Sequence, residues 1–148
     1  MKPAPLARVE RLMHRPDTGI LLLRAMVGVV GVYHGSQKLF GWFGGDGIRP
    51  FAGFLESLNV PLPLLNAYMA AGAEFIGGAL LIAGLFTRLA AIPFMIAMLV
   101  AAFMVHGKAF DARQGGLEYP LTLAVALAAI ALIGPGRYAL DRLFRRGA

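Results

Sequence analysis

The stretch RAMVGVVGVYHGSQK, Arg24 to Lys38, decides the fold. Most of it is membrane filling, Val, Gly and Ala without an acidic residue, yet it carries an arginine, a histidine and a lysine. A charge facing lipid at mid-helix costs about 3 kcal/mol on insertion scales, so these groups need somewhere else to point. At 100° per residue, Arg24, Gly28, Gly31, Gly35 and Lys38 fall in one stripe about 80° wide, with His34 on its flank. Glycines let a second helix approach closely, so this face is expected to turn into a helix bundle, while Val29 and Val30 face lipid or looser packing. Arg24 and Lys38 lie about 21 Å apart along the helix and cannot serve one small site.

The rest of the chain supplies the partners. Of 148 residues, 58% are hydrophobic, and the mean hydropathy is +0.68, too apolar for an ordinary soluble domain of this length. The excess sits in four stretches, Gly19–Phe40, Leu64–Leu85, Leu89–His106 and Leu117–Gly134. Each approaches the roughly 17 to 25 residues that a membrane span needs. None shows the polar positions that a soluble bundle would repeat every third or fourth residue. The expected fold is all-α, a polytopic bundle of four transmembrane helices forming a single domain over residues 1–148, with tails at 1–18 and 135–148. Between spans one and two, PFAGFLESL places Phe51, Phe54, Leu55 and Leu58 at helical spacing opposite Glu56 and Ser57, which predicts a short interfacial helix on the outer surface. Pro93 is expected to be tolerated in span three, where it can kink the helix, and Pro120 falls in the first turn of span four.

The basic balance, 14 Lys+Arg against 8 Asp+Glu, would suit nucleic acid only if the charges were clustered for it. Instead they flank the spans. Lys2, Arg8, Arg11, Arg15, Arg88, Arg137, Arg142, Arg145 and Arg146 gather on one side, against Lys38, Arg49, Lys108 and Arg113 on the other. The positive-inside rule then makes both termini and the Arg88 turn cytoplasmic. The first span reads as a retained anchor, since Arg24 interrupts its apolar core and no small-residue cleavage site follows. With no cysteine, the chain has no disulfide relay, thiolate metal site or iron–sulfur ligation of its own.

Span two answers span one with the opposite charge. Ala67, Ala71, Glu74 and Gly78 share a face, with Glu74 near mid-membrane. His106 closes span three and Glu118 opens span four, so His34, Lys38, Glu74, His106 and Glu118 are expected to converge in the outer half of the bundle. Arg24 is left near the inner side, with Asp141 as the available partner. Two readings of the cluster stand side by side. In one, Lys38 pairs with Glu118 and His34 with Glu74, and the pairs fix helix register. In the other, intramembrane ionisable groups mark a functional site. A quinone suits that site, because its carbonyls take hydrogen-bond donors and its reduction needs proton carriers. Glu74, His34 and Glu118 are then the candidate catalytic groups, Lys38 and His106 the candidate ligand-binding ones, and Arg24, Gly28, Gly31, Gly35, Gly78 and Asp141 structural. The Lys38 ammonium would repel a metal cation, and neither histidine carries a haem motif; no metal is expected, and no covalently bound cofactor.

These residues resemble the DoxX family of small four-helix membrane proteins, which includes a subunit of thiosulfate:quinone oxidoreductase. The matching features are RAMVGVVGVYHGSQKLFGWFGG, AEFIGGALLIAGLFTRLAA, the histidine closing span three, GGLEYPL and GPGRYALD, which run from Arg24 to Asp141. The resemblance makes Arg24, His34, Gly35, Lys38, Glu74, Gly77, Gly78, Glu118, Gly134, Gly136 and Asp141 positions of the family pattern. It implies a multi-pass protein of the bacterial plasma (inner) membrane that works as a quinone-interacting subunit of a membrane oxidoreductase complex. The alternative it leaves is a non-catalytic anchor for soluble redox enzymes of oxidative stress or sulfur metabolism. The implied partners are the lipid bilayer, a quinone and oxidoreductase subunits, without nucleic acid. A solute conduit is least favoured, because glycines and no polar groups line the face between Arg24 and Lys38.

The charge asymmetry yields a topology prediction: reporters fused after Ala148 and near Asp111 should give opposite, cytoplasmic and external, readouts. Matching readouts would rule out a four-span arrangement.

Overall fold

The computed structural model describes residues 15–145, and every regular element among them is helical. Lys2, Arg8, Arg11 and Arg146, part of the charge asymmetry, lie outside the described residues. Helix α1 spans Pro16–Phe40, α2 Ile48–Ser57, α3 Pro63–Ala83, α4 Thr87–Val100, α5 Glu118–Ile133 and the short α6 Asp141–Arg145. Helix α4 runs on through a π-helical turn, Ala101–Val105. Three helices are long and apolar enough to cross a membrane: α1 with 25 residues, α3 with 21, and α4 with its π turn, 19. The fourth long helix, α5, is shorter at 16 residues, about 24 Å against a hydrocarbon core of about 30 Å. Helix α1 packs on α3, α3 on α4, α4 on α5 and α5 back on α1, closing the bundle. Its core is built from Ile20, Val27, Leu81, Phe94, Met98, Leu127 and Ile130. Leu22, Met26, Val29, Ile76 and Leu132 point outward, as they should where lipid is the solvent.

The α1–α3 contact is made backbone to backbone. A Cβ on Gly28 would lie 2.6 Å from the Gly78 carbonyl, one on Gly31 2.7 Å from the Glu74 carbonyl, and one on Gly35 2.5 Å from the Phe75 amide. The facing wall of α3 has the expected composition, with Ala67, Ala71, Glu74 and Gly78 all buried. Gly77, one residue round the helix, faces the α4 backbone, and a Cβ there would lie 3.2 Å from the Ala90 carbonyl. The interfacial helix forms as α2, which lays Ala52 and Leu55 on Ala67 of α3.

The connections explain how the chain stops each helix. Gly41 ends α1 at φ 72° and Gly84 ends α3 at φ 69°. Leu85 and Gly84 donate back to the Leu80 and Leu81 carbonyls, a Schellman closure that a glycine makes without strain. Pro93 sits inside α4 without ending it. The irregularity of this helix falls eight residues later, at the π turn, where no proline or glycine marks it in the sequence. Val30 is also placed differently from expectation: Val29 is 52% exposed, but Val30 is half-buried and lines a cavity between the helices.

Because the glycine stripe touches backbone, which cannot yield as a side-chain tip can, Gly31→Leu and Gly35→Leu should each destabilise the protein by about 2 kcal/mol or more. Val29→Leu should change stability by less than about 0.5 kcal/mol. Thermal unfolding in detergent measures both, and equal stability of all three variants would place the stripe away from the bundle interior.

Candidate functional site

Between α1, α3, α4 and α5, at the Lys38 end of the bundle, lies a cavity of about 330 Å³. Its polar wall is His34, Lys38, Glu74, His106 and Tyr119, and its apolar wall includes Val30, Phe94, Met98 and Leu123. Four of the five groups expected to converge do so. Glu118 does not: its carboxylate turns to the preceding loop and accepts from the Ala112 backbone N–H at 2.8 Å. The next residue, Tyr119, is rotated about 100° around the helix and reaches the cavity in its place.

The pairing also differs from the expected register pairs. Lys38, not His34, holds Glu74, with Nζ 2.5 Å from Oε1. The Lys38 ammonium also stands 5.3 Å from the centre of the Phe51 ring of α2, so the interfacial helix contributes a cation–π contact. The pair is unequal in its access to water, the lysine side chain being 28% exposed and the glutamate 3%. Glu74 Oε2 is buried without a protein partner among the described residues. A buried carboxylate satisfied at one oxygen retains its capacity to accept from a ligand or to hold a proton.

The histidines are oriented by their neighbours. Gln37 donates from Nε2 to the Phe43 carbonyl at 3.3 Å, which turns Oε1 of its amide toward His34. His34 then donates from Nδ1 at 3.0 Å, leaving Nε2 to accept from the Tyr119 hydroxyl at 3.5 Å, the outer limit of a hydrogen bond. His106 donates from Nδ1 to the Gly115 carbonyl at 2.7 Å, and its Nε2 has no partner among the described residues. The π turn positions this residue: its N–H bonds to the carbonyl of Ala101, five residues back, and Ala101 and His106 both line the cavity. Among the described residues no three His, Asp or Glu side chains are grouped as around a metal ion.

Arg24 is far from this site and buried at 1% exposure. Its guanidinium donates to the Leu81 carbonyl at 2.6 Å, to the Ile82 carbonyl at 2.9 Å, and to the Tyr138 carbonyl. A cation on the last carbonyls of α3 meets the negative end of that helix, while Arg24 Nε is buried without a partner among the described residues. Asp141, its expected partner, instead caps α4, accepting from the Phe86 and Thr87 N–H groups at 2.6 and 3.0 Å. Both residues are thus bonded to backbone at helix ends and not to each other. Sequence reasoning missed Tyr119 and Gln37. The only signal was their spacing, one residue from Glu118 and three from His34.

Comparison with known proteins places the chain. The DoxX family model matches residues 19–107. "Putative oxidoreductase CatD" of Bacillus subtilis is 32% identical, over 88% of this chain and 90% of its own. An uncharacterized membrane protein of Mycobacterium tuberculosis is 28% identical, over 89% and 85%. The inner membrane protein YphA of Escherichia coli is 30% identical, over 83% and 89%. No solved structure matches the chain significantly.

The unequal burial of the ion pair gives a signed prediction. Lys38→Met strands a carboxylate that cannot reach water and should cost about 3 kcal/mol or more, whereas Glu74→Gln strands an ammonium that can reach it and should cost less. The double variant should regain most of the Lys38→Met loss, and purely additive losses in thermal unfolding would mean that the two groups do not interact.

Proposed function

The chain belongs to the DoxX family, and we propose that its cavity receives a quinone headgroup as part of an oxidoreductase complex of the inner membrane. The observation that carries this reading is the meeting of a buried carboxylate, an ammonium, two imidazoles and a phenol on one otherwise apolar cavity. Val30, Phe94, Met98 and Leu123 suit a flat apolar ring. Lys38 supplies a donor, Tyr119 supplies a second once its hydroxyl turns from His34, and His106 Nε2 and Glu74 Oε2 supply acceptors that no protein group uses among the described residues. The printed names of two relatives, "Putative oxidoreductase CatD" and "Inner membrane protein YphA", are in keeping with this setting.

Reduction of a quinone to a quinol takes two electrons and two protons. In this reading the electrons would come from a redox centre of a partner, to which any thiol step would also belong, since this chain has no cysteine. The chain's own contribution is to bind, orient and exchange protons. Lys38 would hold one carbonyl while staying paired with Glu74, Glu74 would be the group that passes a proton to the ligand, and the Gln37–His34–Tyr119 chain would hold the opposite edge. The rival reading, a non-catalytic anchor for soluble redox enzymes, is favoured by one feature: the Lys38–Glu74 pair satisfies its own charge and can serve as a register pin.

Glutamine at position 74 keeps the shape and a hydrogen bond but can neither accept nor deliver a proton near neutral pH. In native membranes with the partner present, Glu74→Gln should lower quinone-linked turnover by about a hundredfold while the protein remains folded. The Lys38→Met/Glu74→Gln double variant should recover stability and not turnover. Recovery of both would remove the pair from the chemistry and favour the anchor.

A further inference from the structure

At the Arg24 end of the bundle, three arginines that the cavity does not use surround a separate hollow of about 460 Å³. Arg88 comes from the first turn of α4, Arg137 from the segment after α5, and Arg142 from α6. Arg88 is fixed: its guanidinium donates to the Ala131 and Ile133 carbonyls at 2.8 and 3.3 Å, closing the end of α5. The chain makes room for it at Gly134, which has φ 91° and where a Cβ would come within 2.8 Å of the guanidinium. Arg137 and Arg142 are exposed. The single salt bridge among the described residues is Lys38–Glu74, so none of these three arginines is paired with a carboxylate there. Asp17, the acid in the wall of the hollow, has one oxygen engaged by the Arg137 backbone N–H at 2.8 Å.

A second hollow, of about 270 Å³, adjoins the first and shares Arg88 and Pro135 with it. Its surface is apolar, with Phe86, Leu89 and Phe144 at 59%, 69% and 70% exposure. Asp141 stands at its edge with both carboxylate oxygens taken by backbone N–H groups. A basic hollow thus adjoins a groove of exposed apolar side chains. That is the complement of an amphiphile with an anionic head.

We propose that the two hollows together bind one anionic phospholipid, its phosphate against Arg88, Arg137 and Arg142 and an acyl chain along Phe86, Leu89 and Phe144. Guanidinium groups match phosphate oxygens in geometry as well as charge, and basic pockets at the ends of membrane helices take anionic headgroups on the same physics. The joined groove selects a lipid over a free phosphate, which would leave Phe86, Leu89 and Phe144 unused. The proposal is independent of the quinone reading, since no residue is common to the two sites.

The test uses the full chain purified in an uncharged detergent, with phosphatidylglycerol, phosphatidylcholine of the same acyl chains, or inorganic phosphate added. Phosphatidylglycerol should raise the unfolding temperature saturably, and the other two should not. Arg137→Gln/Arg142→Gln removes two side chains without a protein acceptor among the described residues, so the lipid-free stability should be unchanged. Its affinity for phosphatidylglycerol, read by native mass spectrometry, should fall on the order of tenfold. Leu89→Gln should weaken the lipid and leave any effect of inorganic phosphate untouched. Equal stabilisation by phosphatidylcholine, full binding by the double variant, or a shift reproduced by inorganic phosphate alone would each overturn the assignment.

Discussion

The backbone-to-backbone contact of α1 with α3 is the constraint on which the rest of the bundle depends. Three glycines on one helix and one on the other remove the side chains that would hold the axes apart. Lipid gives little hydrophobic reason for two apolar helices to associate, so close packing and polar contacts must hold them. The stripe supplies both. Its glycines allow the approach, and its end residues fasten it, Lys38 to the Glu74 carboxylate and Arg24 to the last carbonyls of α3. Each cation lies at the depth where α3 offers negative charge, a side chain at one end and the helix terminus at the other.

The polar end of the bundle follows from that contact. With Glu74 drawn against α1, its free oxygen, His34 and Lys38 share a cavity that α4 and α5 close with His106 and Tyr119. The π turn in α4 matters here for a local reason. A five-residue hydrogen-bonded step advances the register by one residue, and the first side chain beyond it is His106. The other end is built differently, from tertiary caps. Asp141 on the start of α4, Arg88 on the end of α5, Asp17 on the Arg137 N–H and Arg24 on α3 join both ends of the described chain to the helix termini. Each satisfies a backbone group at a helix end or in the segment that follows it.

The sequence by itself determined the all-α class, the apolar helices, the interfacial helix and the glycine face, because each depends on periodicity and on small residues that one strand of sequence displays. It also located His34, Lys38, Glu74 and His106 at one end of the bundle, since depth along a helix is a matter of counting. Only the tertiary structure decided who meets whom. The angle at which two helices cross sets whether Lys38 or His34 reaches Glu74, and a 100° step around α5 exchanges Glu118 for Tyr119. Nothing in the local pattern of α4 marks its π turn, and nothing near Asp141 shows that a helix start more than fifty residues earlier will need its carboxylate. Lengths and faces are written in neighbouring residues; pairings are written in how the helices are brought together.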